Sequence, residues 1–427
     1  MKRIPTAAIR PTQVAAMFAS LALLAGCAGS VGGDSSSDSK ASAGAGFAYD
    51  ASQDEIDKAL ADLDPVTLKF QPSSMSEKSI LAPNGLDVKK AIEERSGGKI
   101  TVDIVWGQAI ASYADVDDAL ADGRVDLAFT LPSYTPAEYP AFDALGTAMS
   151  TLPSSPVASD LAANAAGVQA AWETPEVLAE FGDKKLVPLI PMLAAGGYST
   201  MCSKPMGSAE DWKGKQIRVG SAAAGKQVTD LGATPVSLSF PETYEALQRG
   251  TVDCDLGQLA PNVEAGTFEV APHIGVAADA GIARSAGAVT AGKKYSELPV
   301  AYQQVIFDSM STTFSTMMEV VIGAKAKAVK EAKANDGSVE PFDDDVQKQM
   351  ATYAKMLSDK TAKKAGVPDA PSTLKTAGTD WQKSVTELGY EDKGDFADLD
   401  QWYPEGANYD ELGTQLFEKV MAEHRPE

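Results

Sequence analysis

The sequence predicts an α/β fold of two similar lobes, with a ligand cleft between them and a long helix spanning both. Three observations carry that expectation. Residues 212–255 alternate strand and helix patterns. The octapeptide Ala119-Leu-Ala-Asp-Gly-Arg-Val-Asp126 is echoed by Ala246-Leu-Gln-Arg-Gly-Thr-Val-Asp253, both reading A-L-x-x-G-x-V-D. From residue 299 to about 333 the pattern is helical, with Val305, Phe307, Met310, Phe314 and Met317 among its apolar positions. At 427 residues the chain can build two cores.

Within the central stretch, residues 215–219 form a short strand pattern ended by Gly220, and 221–231 are small and helix-compatible. Gly232-Ala-Thr-Pro235 breaks that helix, and 236–240 alternate apolar residues with serine. Residues 241–248 read as a helix with proline at its start, Gly250 stops it, and Val252 opens the next strand. Arg218 therefore sits one residue from the end of a strand, just before a helix N-terminus. A planar guanidinium there can pair two carboxylate oxygens, while free backbone N–H groups at Ser221 and Ala222 face the same point. The simpler alternative is a surface or interlobe salt bridge.

Residues 1–26 read as an export signal, with Lys2, Arg3 and Arg10 preceding an apolar run at 14–25 that is too short to span a bilayer. The closing Leu24-Ala-Gly-Cys27 resembles a bacterial lipobox, which implies a lipidated Cys27 and an extracytoplasmic protein anchored to the cell membrane. Residues 27–64 are expected to be a lipidated cysteine and a tether, its Gly/Ser/Ala-rich part at 28–46, followed by a short peripheral helix. Beyond it, strands at 66–70, 100–106 and 125–130 alternate with helices at 86–95 and 116–121, as α/β units do. Further on, 262–270 look helical, 276–289 strand-rich and 340–365 helical, whereas the tail from Trp381 carries no functional pattern. The expected division is 65–195 plus 283–322 for lobe I, and 196–282 plus 323–427 for lobe II with a C-terminal extension. The cleft should lie at the carboxyl ends of the strands.

Composition narrows the function. Lys and Arg total 37 against 59 Asp and Glu, a formal charge of −22, which disfavours nucleic acid as a partner. Two histidines, no HExxH, no CxxC and no EF-hand loop leave little from which to build a catalytic metal site, and no cofactor is expected. Gly220-Ser-Ala-Ala-Ala-Gly-Lys226-Gln227 nearly spells a phosphate-binding loop, but Gln227 stands where the Mg²⁺-binding hydroxyl belongs. A secreted hydrolase lacks a GxSxG elbow and a Ser-His-Asp set to work with. Cys202 and Cys254 fall in an oxidising compartment and are expected to pair, the alternative being two buried thiols.

GATPVSLSFPETYEALQRGTVD, at 232–253, resembles the signature region of the extracytoplasmic solute-binding proteins of TRAP (tripartite ATP-independent periplasmic) transporters, DctP type. DWKGKQIRV, GGKITVDIVWGQ and ALADGRVDLAF resemble further parts of that family, so the likeness covers roughly 66–309. The resemblance implies a periplasmic-binding-protein-like fold, no enzyme activity, and a monomer. It further implies that Arg218 holds the carboxylate of a small organic acid between closing lobes, for delivery to membrane permease subunits. A non-transport surface sensor or a hydrolase using the same cleft is the alternative. In the sialic-acid branch a second arginine stands where this chain has Tyr198, and an asparagine follows the VDG-type turn where this chain has Gly257 and Gln258. The tyrosine suggests a less charged or more aromatic ligand. The expected binding set is Arg218, Tyr198, Trp106, Tyr134, Phe240, Gln258, Asn262 and Ser74.

Overall fold

The computed structural model describes residues 44–194, 197–278 and 281–427. The expected export signal, Cys27 and most of the expected tether lie outside these residues. Strands are numbered β1 (Val66–Gln71), β2 (Ile100–Ile104), β3 (Leu127–Thr130), β4 (Val187–Leu193), β5 (Tyr198–Cys202) and β6 (Gln216–Val219). They continue as β7 (Thr234–Ser237), β8 (Cys254–Gln258), β9 (His273–Val276), β10 (Gly287–Ala291) and β11 (Val339–Pro341). One sheet has the order β2-β1-β3-β10-β4 and the other β11-β9-β5-β8-β6-β7.

The two sheets share one plan, and the repeated octapeptide is its physical core. In the first, β2 and β3 flank β1 in parallel, and β10 runs antiparallel to β3. In the second, β7 and β8 flank β6 in parallel, and β5 runs antiparallel to β8. Each octapeptide spans the end of a helix (Val116–Asp122 or Thr243–Gln248) and a left-handed glycine, Gly123 at φ 80° or Gly250 at φ 67°. Each then ends on an aspartate that bonds the backbone of the central strand. Asp126 accepts from the Lys69 N–H at 2.8 Å, and its own N–H donates to the Lys69 carbonyl at 3.0 Å. Asp253 makes the same pair of bonds to Gln216, at 2.8 and 2.7 Å. Eight residues thus fix a helix stop, a turn and a strand register twice.

Each sheet borrows its antiparallel neighbour across the molecule, so the chain crosses from β4 to β5, back from β9 to β10, and again before β11. The third crossing is helical. The expected single long helix is two, Val300–Asp308 and Met310–Ala334, separated at Ser309. Met310–Ala334 packs on the helix Pro83–Arg95 of the first sheet and on β9, β11 and the helix Leu259–Glu264 of the second.

One buried carboxylate reaches all three crossings. Asp160, on the helix Ala158–Trp172, pairs with Arg284 at 2.9 Å, accepts the Gly197 N–H at 3.1 Å and is bonded by Lys325. All three charged side chains are buried. Burial pushes the Asp160 carboxyl up, but Lys325 and Arg284 outweigh it and hold it below its ordinary value.

Cys202 and Cys254 are disulfide-bonded; as direct partners in the β5–β8 ladder, their Cα atoms lie 4.1 Å apart. The helix Ala370–Glu387 lies along Ala158–Trp172, where the Trp381 indole N–H donates to Gln169 at 2.7 Å. Near the start of the described chain, Gly44 and Gly46, expected to belong to the tether, sit against Pro299 and Gln304. Phe47 is clasped there: its N–H donates to Gln304 and its carbonyl accepts from Arg425, whose guanidinium also covers its ring. Arg425 and Arg95 both pair with the buried Asp308.

Candidate ligand-binding site

Parallel register brings the site together. Arg218 on β6 is the direct partner of Asp255 on β8, so their side chains leave the same face of the sheet side by side. Both are buried, Arg218 at 4% exposure and Asp255 at 0%. The Arg218 Nη1 donates to Asp255 Oδ1 at 3.2 Å, Nε donates to the Leu238 carbonyl at 3.1 Å, and the guanidinium lies 5.7 Å from the centre of the Phe240 ring. Nη2 has no partner among the described residues. At Gly220 a Cβ would make ordinary contact with both terminal nitrogens, at 3.7 Å, but would press on the Ser285 hydroxyl at 3.1 Å.

Arg218 forms part of the wall of a cavity of roughly 530 Å³ between the two sheets. Its lining is chiefly apolar and aromatic, with Phe129, Leu131, Tyr113 and Tyr134 from the first sheet's side and Tyr198 and Phe240 from the second's. Met317 and Val321 of the long helix complete that surface. Tyr113 meets Phe129 and Tyr134 edge to face, with ring centres 6.3 and 6.2 Å away. No second lysine or arginine lines the cavity among the described residues.

Polar side chains reach the lining as well, Asn84, Gln108, Gln258 and Glu264 among them. The Tyr198 hydroxyl accepts the Ser285 N–H at 2.9 Å, and burial pushes its pKa up to about 12. The Ser285 hydroxyl is buried without a partner among the described residues. Burial pulls the Arg218 pKa down, but Asp255, Tyr134 and Tyr198 more than offset it. Asp255 moves upward because burial outweighs the pull of Arg218 and Asn262.

Of the expected set, Arg218, Tyr198, Tyr134, Phe240, Gln258 and Asn262 line this cavity. The Asn262 amide is already engaged: it donates to Asp255 Oδ2 and to the Gln258 carbonyl, both at 2.8 Å, and accepts from Thr267 at 2.6 Å. It positions Asp255. Gln258 donates to the Ala194 carbonyl at 3.3 Å. Trp106 and Ser74 are not in the lining. The Trp106 ring packs beside Gly85, and the Ser74 hydroxyl donates to the Leu81 carbonyl, while Ser73 and Met75 face the cavity. Sequence reasoning missed Asp255, Ser285, Tyr113 and Phe129. Asp255 becomes visible only once β6 and β8 are known to be neighbours in register.

Two sheets of like plan, three crossings and a mostly apolar cavity with one buried guanidinium define a two-lobed solute-binding protein. Residues 73–365 match the model of the bacterial extracellular solute-binding protein family 7, DctP, and the chain belongs to that family. A solute-binding protein of Albidiferax ferrireducens is 26% identical over 283 residues, covering 64% of this chain and 74% of its own. The fold is also that of a marine metagenome TRAP solute binding protein specific for aromatic acid ligands, crystallized with 3-hydroxybenzoate. It shares 22% identity at a TM-score of 0.64, over 75% of this chain and 99% of its own. A TRAP solute binding protein from Rhodoferax ferrireducens T118, with copurified benzoate, gives 20%, 0.64, 76% and 99% for the same measures.

Proposed function

We propose that this protein is an extracytoplasmic receptor, lipid-anchored through Cys27, that holds a small monocarboxylic acid with an apolar or aromatic body on Arg218 and hands it to a TRAP-type membrane permease. One observation carries the reading: a buried guanidinium with Nη2 unpartnered among the described residues, in the wall of a cavity otherwise lined chiefly by rings and aliphatic side chains. A carboxylate satisfies Nη2, and the rings cover the rest of the ligand. No second lysine or arginine lines the cavity among the described residues, so a second carboxylate on the ligand would find no cation there. That favours aromatic monocarboxylates over dicarboxylates and sugar acids. Similar structures hold 3-hydroxybenzoate, benzoate and mandelate, which supports the same ligand class here.

In this reading 65–195 plus 283–322 and 196–282 plus 323–427 close on the ligand as two lobes about the crossings. Within 323–427, the helix Ala370–Glu387 packs on Ala158–Trp172 of the first lobe and travels with it. The test is a thermal-shift screen of benzoate, 3-hydroxybenzoate, mandelate, succinate and a hexuronate. At about 100 times its dissociation constant a ligand stabilises by roughly 2.7 kcal/mol, so a binder is readily seen. The aromatic monocarboxylates should raise the melting temperature and succinate should not. A flat response to every aromatic acid removes the reading.

A further inference from the structure

We propose that Asp255 is a neutral carboxylic acid whenever a ligand carboxylate occupies the site, so that an anion binds together with a proton. The inference rests on the carboxylate-receptor reading above and adds to it the charge state of a group that the ligand must meet.

The argument is one of counting charges in a closed space. Asp255 is fully buried and touches two donors among the described residues, Arg218 Nη1 at 3.2 Å and Asn262 Nδ2 at 2.8 Å. The groups around it are Arg218 from β6, Asn262 from the helix Leu259–Glu264, the Tyr198 and Tyr134 hydroxyls, and Glu264 at the cavity lining. Of these, only Arg218 is a cation. Without ligand, one guanidinium faces one carboxylate. A bound organic anion places a second carboxylate on the same guanidinium, and the two must lie within a few ångströms of each other. Like charges so close, away from water, strongly disfavour each other's ionised form, so one of the two carboxyls takes a proton.

The proton goes to the resident acid. Asp255 has no exposure to solvent, and burial already displaces its carboxyl upward, whereas a benzoate-like ligand arrives with the ordinary acidity of a free carboxylic acid. One proton from the medium forms an O–H bond on Asp255; the ligand stays an anion, and the pair formed by guanidinium and ligand replaces the pair formed by guanidinium and aspartate. Oδ2 keeps the Asn262 bond, and Oδ1 changes from an acceptor for Arg218 into a donor that can face the incoming carboxylate. Gly257 keeps this acid in place, because a Cβ there would stand 2.9 Å from Asp255 Oδ2.

The test is calorimetric titration of the whole protein with benzoate from about pH 5 to pH 9, in buffers of different ionisation enthalpy. The dependence of the observed enthalpy on the buffer gives the protons taken up per benzoate. Within part of that range, uptake should approach one proton. Affinity should then rise up to about tenfold per pH unit as pH falls through the carboxyl's value in the complex, levelling off below its value in the free protein. Asp255→Asn, a fixed neutral stand-in with one donor and one acceptor, should bind benzoate with no uptake and no pH dependence. Binding of benzoate without buffer-dependent heat anywhere in the range overturns the proton but leaves the receptor reading intact. Absence of benzoate binding at every pH overturns both. Should Asp255→Asn fail to fold, the wild-type enthalpies alone decide.

Discussion

Arg218 serves two masters, a buried aspartate and the proposed ligand, and a pair of substitutions separates them. Arg218→Met removes the cation facing Asp255, whose side chain has no exposure. Breaking a buried pair from one side costs about 3–5 kcal/mol, so the variant should unfold at clearly lower urea concentration. The loss carries a sign with pH. Without Arg218 the Asp255 carboxyl is displaced further above its unfolded value, so the folded state binds the extra proton. Stability is therefore retained at low pH and lost as pH rises from the unfolded value toward the folded one, and the deficit should be larger at pH 8 than at pH 5. Arg218→Met/Asp255→Asn has no buried charge left and should recover most of the stability. Binding should not recover, because two charge-assisted hydrogen bonds at about 1.5–3 kcal/mol each amount to on the order of 10²- to 10⁴-fold in affinity. Urea unfolding at the two pH values and calorimetry with benzoate read the two effects apart. Benzoate affinity of the double variant within threefold of wild type would remove Arg218 from the site, whatever its stability.

Asp160→Asn should cost about 3–5 kcal/mol, since it leaves Lys325 and Arg284 buried without an anion. In the wild type that carboxyl is held below its ordinary value, so its contribution is present above about pH 4 and fades as pH falls through the folded value. The stability gap between the two proteins should narrow in acid, and a gap that stays constant to pH 2 refutes the assignment. Gly257→Ala should weaken benzoate binding by at least about tenfold, the equivalent of 1.4 kcal/mol, by displacing Asp255 Oδ2. Unchanged affinity there means that Asp255 can move without consequence.

The parts of the fold legible in the sequence are those with one face in the core and one in water. The helices at 86–95 and 116–121 have that character, and the strand carrying Arg218 is bounded by glycines on both sides, at Gly214 and Gly220. The octapeptide echo was legible because its residues act locally, on a turn and on the neighbouring strand. What escaped is covered on both sides. The helix Ala158–Trp172 is buried on nearly every residue, between β4 and the helix Ala370–Glu387, and so shows no amphipathic period. The strand β4, buried at six of seven positions, has no alternation either. The site divides the same way. Arg218 announces itself by its place at a strand end, whereas Asp255 matters through a register partner 37 residues away. Trp106 and Ser74 were assigned by nearness to a strand end and a polar loop, which does not fix the direction in which a side chain points.

The clasp at Phe47 decides where a mechanical load enters this molecule. Force arriving from the residues that precede Gly44 meets the Phe47 backbone first, and passes through Arg425 and Gln304 to Asp308 and the helices beside it. Neither sheet's strands nor the guanidinium in the cavity lies on that route. A body hauled by its leading segment would thus be gripped through the helices that carry Arg95 and Asp308.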